Sequence, residues 1–496
     1  MSLIKIEKLN EVHLRITCDD QGVLQELSEF FSFEMPGAKF TPQYKAKLWD
    51  GIVRMFDLHR KTVYVGLLKY VLEFADRNGY DVKLISDFMP KEVISNEEIL
   101  DFAKWLQPCS RGNPIEIYDY QVEAVTRAIN DKRTLLLSPT ASGKSFIIYT
   151  TMRYHLEHKR KCIIVVPTTS LVEQLYADFE DYSSVNKWKV SKHCQKLYSG
   201  FTREFDHDVM ITTWQSIYKQ PASWFKQFNV IFGDEAHNFK AKSLTGVMDK
   251  MPHVEFRTGT TGTLDNKKVH KLVLEGIFGP QHKVITTKAL MDSNRVAKLK
   301  ITCLLLKYDD ITRKIVNKST YQEEMDYIVK HDKRNKFIRN LALSSEGNTL
   351  VLFQYVAKHG KILYEMIKEK AHNKRKVFFI YGGTDTEARE AARKLMENET
   401  DAIAIASFGV FSTGINIPSI ENVIFASPSK SKIRNLQSIG RGLRLKEGKT
   451  HCNLYDISDD FQHKSWKNHT LGHFAERLKI YSEEQFDYKI VKVPLE

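Results

Sequence analysis

The chain has 496 residues, of which 42% are hydrophobic and 27% are charged, a composition typical of a globular protein with two to four domains. No apolar run reaches eighteen residues and the N-terminus lacks an apolar signal core, so we expect neither a membrane span nor a signal peptide. Six cysteines stand singly, which predicts reduced thiols and neither a zinc site nor a disulfide framework.

The net charge is +13, and two segments carry much of it. Residues 36–69 contain seven Lys or Arg against two acidic residues, and residues 427–449 contain seven against one. A basic surplus of this kind favours a polyanionic partner, most often nucleic acid, and gives no reason to expect a membrane partner. The alternative is two solvated basic faces.

The predicted elements divide the chain into five parts. Residues 1–92 alternate short strands and helices in a small α+β domain, and residues 93–112 connect it to the rest through a short amphipathic helix. Residues 113–285 and 286–457 each alternate apolar strands with helices, which predicts α/β domains with doubly wound parallel sheets. We expect residues 458–496 to form a helical C-terminal extension.

The segment TLLLSPTASGKSFIIYT, Thr134 to Thr150, runs from a strand through small polar residues into a helix. Backbone N–H groups of such a turn, with the helix N-terminus, bind phosphate. Its GKS matches the end of the GxxxxGK[ST] pattern, although Ser138 occupies the place of the first glycine. The alternative is a structural corner with an exposed lysine. The predicted ATP-binding loop comprises Pro139, Thr140, Ala141, Ser142, Gly143, Lys144 and Ser145.

Two acidic residues, Asp234 and Glu235, follow the apolar strand VIFG. ATP hydrolysis needs one carboxylate for Mg²⁺ and another that activates the attacking water. Lys144 is expected to contact the β- and γ-phosphates, while Ser145 and Asp234 are expected to hold Mg²⁺. For an isolated acidic pair the alternative is a solvated turn.

Three segments resemble, in this order along the chain, the motifs of superfamily 2 helicases of the DExH group: GKS, Asp234-Glu235-Ala236-His237 and QSIGRGLR. The resemblance spans about Tyr118 to Leu454. It implies two tandem RecA-like domains that close on ATP and part after hydrolysis, moving nucleic acid held by both.

The resemblance also assigns residues. Tyr118 and Gln121 would contact the adenine, Gly414 would lie near the nucleotide, and Thr261-Gly262-Thr263 would couple hydrolysis to strand movement. Two arginines would reach the γ-phosphate from the second domain. The implied catalytic residues are Lys144, Asp234, Glu235, His237, Gln437, Arg441 and Arg444. The implied nucleic-acid contacts of the two motor domains are Thr168, Thr169, Thr212, Thr213, Gln215 and Thr413.

The segment GAKFTPQYKAKLWDGIVRMFD, residues 37–57, interleaves aromatic with basic residues. Rings suit base stacking and cations suit phosphate, although a hairpin with aromatic core residues and solvated lysines is the alternative. The predicted DNA contacts here are Lys39, Phe40, Tyr44, Lys45, Lys47, Trp49 and Arg54.

This block, with STYQEEMDYIVKHDKRNKFI and EEQFDYKIVK, resembles the UvsW-type helicases of T-even-type bacteriophages. That resemblance implies an ATP- and Mg²⁺-dependent, phage-encoded DNA helicase that acts in the cytoplasm of the host bacterium. Its implied substrates are Holliday junctions, forks and R-loops with their RNA–DNA hybrid, in recombination, repair and replication control. We expect a monomer without a stable protein partner. The alternatives are a duplex translocase without strand separation and a nucleic-acid-binding scaffold with an inactive ATPase.

Overall fold

This computed structural model describes residues 2–86, 93–198, 204–265, 267–372, 374–384, 386–413, 417, 419–429, 431–443 and 449–495. The chain forms two compact units. The first contains residues up to 138 and 143–284, and the second contains residues 139–142 and 285–496.

The first unit begins with a five-stranded sheet in the order β5-β6-β2-β1-β7, in which only the β1–β7 pair is parallel. Strands β3 and β4 form a separate antiparallel pair. The strands are β1 Leu3–Lys8, β2 His13–Thr17, β3 Ser32–Glu34, β4 Ile52–Arg54, β5 Phe56–Asp57, β6 Thr62–Tyr64 and β7 Asp81–Leu84. The helices are α1 Gln21–Phe30, α2 Pro42–Lys45 and α3 Leu68–Asn78.

A connecting segment follows, with α4 Asn96–Trp105 and the short antiparallel pair β8 Cys109–Ser110 and β9 Asn113–Pro114. Helix α4 begins at a reciprocal capping box: Ser95 Oγ accepts from the Glu98 N–H, and the Glu98 carboxylate accepts from the Ser95 N–H. This pairing satisfies two N–H groups that an uncapped helix would leave without partners.

The first motor domain completes this unit with a seven-stranded parallel sheet in the order β12-β13-β11-β14-β15-β10-β16. The strands are β10 Arg133–Leu137, β11 Cys162–Val166, β12 Cys194–Leu197, β13 Val209–Thr213, β14 Val230–Asp234, β15 Phe256–Thr261 and β16 Gln281–Lys283. The helices are α5 Asp119–Asn130, α6 Lys144–Glu157, α7 Thr169–Tyr182, α8 Val190–His193, α9 Trp214–Ile217, α10 Ala222–Phe225, α11 Lys242–Asp249 and α12 Lys268–Phe278.

The N-terminal domain and the first motor domain share a core. Val269 and Leu272 of α12 are buried among the apolar residues of the N-terminal sheet. Gly66 lies so close to α12 that a Cβ there would stand 1.9 Å from the Glu275 carbonyl oxygen. Arg133, at the start of β10, pairs with Glu11 at 2.8 Å. Since apolar, backbone and ionic contacts all join the two parts, the N-terminal domain is a fixed extension of this motor domain.

The second unit holds another seven-stranded parallel sheet, ordered β19-β20-β18-β21-β22-β17-β23. The strands are β17 Lys298–Lys307, β18 Thr349–Phe353, β19 Val377–Ile380, β20 Ile403–Ser407, β21 Asn422–Phe425, β22 His451–Asp460 and β23 Tyr488–Pro494. The helices are α13 Thr287–Asp292, α14 Asp310–Val316, α15 Tyr321–Lys330, α16 Asp332–Ser344, α17 Lys361–Ala371, α18 Thr386–Asn398, α19 Phe408–Thr413, α20 Lys432–Gly442 and α21 His469–Glu483.

The C-terminal segment is not the helical extension that we expected. The predicted boundary at residue 457 falls inside β22, and after α21 the chain returns to the sheet as β23, which pairs in parallel with β17. The fully buried Arg477 of α21 donates to Asp456 of β22 over 2.8 Å. Helix and strand are therefore integral to the second sheet domain.

Candidate ATP-hydrolysis site and nucleic-acid interface

The phosphate loop joins β10 to α6. Ser138, at the place of the missing glycine, is fully buried and its N–H donates to the Thr261 carbonyl over 2.9 Å. Gly143 has φ +82°, where a side chain would be strained and a Cβ would stand 2.3 Å from Gln121 Nε2. No side chain caps α6 and no acidic residue lies in its first turn. Its N–H groups thus suit a phosphate anion.

The two acidic residues occupy the end of β14. Asp234 is buried, and Oδ1 accepts hydrogen bonds from Thr260 Oγ1 at 2.8 Å and from the Glu235 N–H at 2.9 Å. Within the described part of the chain, both hydrogen bonds to this carboxylate fall on Oδ1. The arrangement fixes the carboxylate while Oδ2 keeps its capacity to meet a hydrated cation.

Glu235 lies between two cationic or polar groups. Its backbone has φ +50°, a left-handed conformation that is costly for a glutamate. Lys144 Nζ donates to Glu235 Oε1 over 3.2 Å, and His237 Nδ1 lies 3.3 Å from Oε2. The expected catalytic lysine, glutamate and histidine are therefore brought together.

The hydrogen bonds around His237 define its tautomer. Thr261 Oγ1 donates to the Thr263 carbonyl over 3.0 Å, so this oxygen accepts from His237 Nδ1–H, also at 3.0 Å. Asn238 Nδ2 lies 3.3 Å from His237 Nε2 and can donate to it. Both contacts place the proton of a neutral ring on Nδ1. The predicted coupling segment at Thr261 is thus joined to the predicted base Glu235 through this imidazole.

The environment pushes the pKa values of the two adjacent carboxyls apart. Burial raises the pKa of Asp234, although the positive charge of Lys144 opposes the rise. Burial would also raise the pKa of Glu235, but the Lys144 ammonium and the His237 ring more than offset it, so that its pKa lies below the usual range. The lowered pKa makes Glu235 a weaker base while Lys144 stands beside it, and separating the ammonium from this carboxylate would raise its proton affinity.

Ser145, the second expected metal-binding residue, contacts a residue that sequence reasoning missed. Its Oγ lies 2.8 Å from the Tyr182 hydroxyl, at the end of α7. A serine hydroxyl that binds a cation through its lone pairs must donate its proton elsewhere, and Tyr182 can accept it. Ser145, Asp234 and phosphate oxygens are the hard oxygen ligands that Mg²⁺ prefers. No sequence motif marks Tyr182, because the contact joins two elements 37 residues apart.

The predicted adenine contacts lie at the start of α5. Tyr118 is exposed, and its ring stacks on that of Tyr120 with centroids 5.7 Å apart. Gln121 is buried, and its Oε1 accepts from the Tyr118 N–H over 3.0 Å. Its Nε2 lies beside Gly143 of the phosphate loop. One amide therefore fixes the start of the helix and places a donor at the loop.

The predicted nucleic-acid contacts of the first motor domain fall into two groups. Thr168 caps α7, where its side chain accepts from the Leu171 N–H, and Thr169 and Gln215 are exposed. Thr212 is fully buried and donates to the Leu197 carbonyl over 2.8 Å. In this structure the Thr212 hydroxyl serves the sheet interior, and its assignment to the nucleic-acid contacts stays a prediction.

Thr213 also lies inside the domain in this structure. It is 4% exposed, and its hydroxyl lies 2.9 Å from Ser216 Oγ. The alternating directions of side chains along a strand place one of the two threonines on each face, but both faces of a parallel sheet are covered here. Of the three residues predicted in ITTWQS, Gln215 is the exposed one. The motif alone does not indicate which of them is accessible.

The N-terminal basic segment separates its aromatic residues by role. Trp49 is half-buried and donates through Nε1 to the Ile52 carbonyl over 2.9 Å, and Tyr44 packs against Gly51. Phe40 is 82% exposed. Of the three predicted stacking rings, Tyr44 and Trp49 therefore pack within the segment, and Phe40 projects from it.

The cations of the same segment also differ. Lys39, Lys45 and Lys47 are exposed. Arg54 is paired with Asp50 at 2.6 Å, so a large part of its charge is already balanced. The three lysines, rather than Arg54, carry the uncompensated positive charge of this surface.

In the second unit, Gln437 and Arg441 lie four residues apart on α20, and so on one face of the helix. The side chain of Thr413, and residues Gly414 and Arg444, lie outside the described residues. Nowhere in the described ranges do three His, Cys, Asp or Glu side chains form a group that could hold a metal. No described helix is both long and apolar enough to cross a membrane.

Three family models match the chain. The model described as DNA helicase UvsW, N-terminal, matches residues 4–85. The model for the res subunit of type III restriction enzymes matches residues 114–266, and the helicase conserved C-terminal domain matches residues 332–446. These matches coincide with the N-terminal domain and with the cores of the two parallel-sheet domains.

The chain is similar over nearly its whole length to a curated DNA helicase. It is 34% identical to the ATP-dependent DNA helicase uvsW of Enterobacteria phage T4, with 99% of this chain and 100% of that protein covered. The DNA 3'-5' translocase XPB2 of Sulfurisphaera tokodaii is 22% identical over 73% of this chain and 85% of that protein. Both similarities extend well beyond single motifs.

Two solved structures also match most of the chain. The crystal structure of T4 UvsW matches with a TM-score of 0.52 and 32% identity, covering 99% of this chain and 100% of that chain. A fragment of an HsdR subunit of a type I restriction enzyme from Vibrio vulnificus matches with a TM-score of 0.58 over 92% of this chain and 83% of that chain. At 15% identity, the second likeness shows a shared fold.

Proposed function

Because the chain belongs to the UvsW family of ATP-dependent DNA helicases, we propose that it uses ATP hydrolysis to move along and remodel branched DNA. Its proposed reactions are branch migration of Holliday junctions, regression of forks and unwinding of the RNA–DNA hybrid in R-loops. Its proposed roles are in recombination, repair and control of replication. We propose that it acts as a monomer in the cytoplasm of an infected bacterial host.

The contact between Lys144 and Glu235 is the observation that carries the ATPase part of this proposal. The phosphates of ATP attract Lys144, and the carboxylate of Glu235 then gains the freedom to orient and deprotonate a water. Mg²⁺ would neutralise charge on the phosphate oxygens and would be held by Ser145 and Asp234. His237 keeps the side chain of Glu235 in place from the opposite side.

The arginines of the second unit have a separate proposed role. Arg441, with Arg444 beyond the described residues, would stabilise the charge that develops on the transferred phosphoryl group. A planar guanidinium donates two parallel hydrogen bonds, which suits phosphoryl oxygens. Gln437 lies one turn before Arg441 on α20 and would help to orient the transferred phosphoryl group.

The proposal for DNA rests on the position of the exposed lysines. Lys39, Lys45 and Lys47 project from a domain whose core includes residues of α12. Because that domain is a fixed extension of the first motor domain, DNA bound by these lysines is held at a constant distance from the phosphate loop. Thr168, Thr169 and Gln215 would contact the backbone of a nucleic-acid strand without recognising its sequence.

The decisive experiment compares strand displacement on a fork with that on a linear duplex, alongside DNA-stimulated ATP hydrolysis. Hydrolysis coupled to displacement on forks supports the proposal. Hydrolysis with movement but without displacement on any branched substrate would favour a duplex translocase, an alternative suggested by the similarity to a protein named as a DNA translocase.

A second experiment tests the basic surface. Replacing Lys45 and Lys47 with alanine should weaken fork binding and lower the salt dependence of binding by up to about two units of slope, about one for each phosphate contact. Arg77 and Lys83, exposed in the same domain, supply the matched double variant. If the Lys45/Lys47 variant binds forks with the same affinity and the same salt dependence as the Arg77/Lys83 variant, the DNA-binding surface lies elsewhere.

A further inference from the structure

Two large apolar side chains project into solvent from one short segment of the N-terminal domain. Phe40 is 82% exposed and Leu48 is 81% exposed, more than any other large hydrophobic residue among those described. Single exposed apolar residues are common on protein surfaces. Two so fully exposed within nine residues need an explanation, because each leaves apolar area in water that packing would remove.

The segment that carries them, residues 37–51, which we call the apical loop, has a defined conformation. Thr41 caps α2, accepting from the Tyr44 N–H, and its hydroxyl donates to the Ala38 carbonyl over 2.7 Å. The Leu48 N–H donates to the Gln43 carbonyl over 2.9 Å. With Tyr44 and Trp49 turned inward, the loop holds its two apolar side chains outward.

The surroundings of these side chains indicate what covers them. Lys39, Lys45 and Lys47 are all exposed on the same loop, two of them directly beside Phe40 and Leu48 in sequence. The buried centres of protein–protein interfaces are depleted in lysine. A nucleobase, by contrast, presents an apolar face bordered by negatively charged phosphates. The pattern of ring, aliphatic side chain and lysines complements that arrangement.

The exposed base faces of DNA are found at particular places. Within a continuous duplex every base face is stacked, and inserting a side chain between base pairs costs a few kcal/mol. At the end of a paired arm, where strands diverge, a base-pair face is open without that cost. A projecting apolar pair therefore favours the branch point over the middle of a duplex.

We propose that Phe40 and Leu48 form a stacking surface that covers the terminal base pair at a DNA branch, while the lysines of the apical loop hold the flanking phosphates. The ring of Phe40 stacks on the base pair and Leu48 fills the space beside it. This inference rests on the proposed function, and it identifies the part of the protein that distinguishes a branch from continuous duplex.

The test uses the full-length protein and a synthetic fork that carries 2-aminopurine in the base pair at the branch point. Binding without ATP should change the 2-aminopurine fluorescence, because the stacking partner of that base changes. Phe40→Ala and Leu48→Ala should each lose most of the change and bind the fork several-fold to about tenfold more weakly, as removal of one stacking contact predicts. Binding to linear duplex should change much less.

Two further variants isolate stacking. Phe40→Trp, which keeps an aromatic face, should retain the fluorescence change, and Ile85→Ala removes an apolar side chain that is 55% exposed in the same domain as a control. Because both tested side chains are exposed, the variants should melt as the wild type does. If Phe40→Ala and Leu48→Ala preserve fluorescence, fork affinity and the preference for forks, the stacking surface is excluded and these residues bind something other than bases.

Failure of the proposed function gives a different result. If neither branched nor linear DNA stimulates ATP hydrolysis by the wild-type protein, the proposal that it moves along DNA is wrong. If wild-type protein unwinds forks normally while the apolar variants keep the wild-type fluorescence change, fork affinity and preference for forks, only the stacking inference is overturned.

Discussion

Lys144 Nζ of the phosphate loop donates a hydrogen bond to Glu235 Oε1 over 3.2 Å. The two side chains therefore balance each other's charge at largely buried positions. Under the proposed function, ATP would compete with Glu235 for the lysine and would thereby release the carboxylate for base catalysis. In that proposal, one ion pair connects nucleotide binding with activation of water.

Lys144→Ala should abolish ATP hydrolysis and leave the fold intact. Lys144 is the first residue of α6 and pairs with Glu235, and its loss removes the cation that we propose contacts the phosphates. Steady-state hydrolysis and circular dichroism check the two parts of this expectation. Near-normal turnover with unchanged ATP binding would remove the phosphate-loop assignment.

Glu235→Gln should bind ATP and DNA but hydrolyse ATP at least about 100-fold more slowly, the scale of general base catalysis. The amide keeps the size of the side chain and can still accept from Lys144. Single-turnover hydrolysis compared with nucleotide affinity separates the two effects. Turnover within threefold of wild type would mean that another residue is the base.

Arg441→Ala should lower the rate of hydrolysis by roughly 1,000-fold or more, while ATP affinity changes far less. An arginine that acts on transition-state charge contributes mainly to kcat. The measurement is kcat beside the Kd of a slowly hydrolysed ATP analogue. A collapse of affinity with a normal rate at saturation would identify Arg441 as a ground-state contact instead.

Tyr182→Phe should raise the Mg²⁺ concentration needed for half-maximal hydrolysis by about 2- to 10-fold, the value of one hydrogen bond. The ring packs against Phe146 and Tyr149 and would remain in place. Tyr176→Phe, in the same helix α7, is the matched control. An unchanged Mg²⁺ dependence together with a lower melting temperature would leave Tyr182 with a structural role only.

The stability of the protein should fall as the pH falls from about 6.5 towards 3, in part through His155. Burial, with the nearby charge of Arg160, lowers the pKa of His155 to about 3. Between these pH values the unfolded chain binds a proton that the folded chain excludes, so the free energy of unfolding declines. His155→Phe should flatten urea-midpoint profiles over this range. His158→Phe, at an exposed neighbouring position, is the control.

Local sequence patterns were enough to predict the class of fold and the order of the chemical motifs. Both parallel sheets arise from short apolar runs such as CIIVV and TLVLF, whose burial on two faces is a local property of composition. The GKS and DEAH segments carry their chemistry because a strand, a tight turn and a helix must follow one another in the chain. Such features depend on neighbours in sequence and can be predicted from it.

Tertiary structure alone decided which side chains face solvent and which distant elements meet. Thr212 entered the core, Trp49 and Tyr44 became parts of a scaffold, and Phe40 stayed exposed, although all four looked alike as contact candidates. Likewise, β23 joined the second sheet through pairing with β17, nearly two hundred residues away in sequence, and Tyr182 reached Ser145 from another helix. Exposure and long-range pairing depend on how the whole chain packs, and no local pattern encodes them.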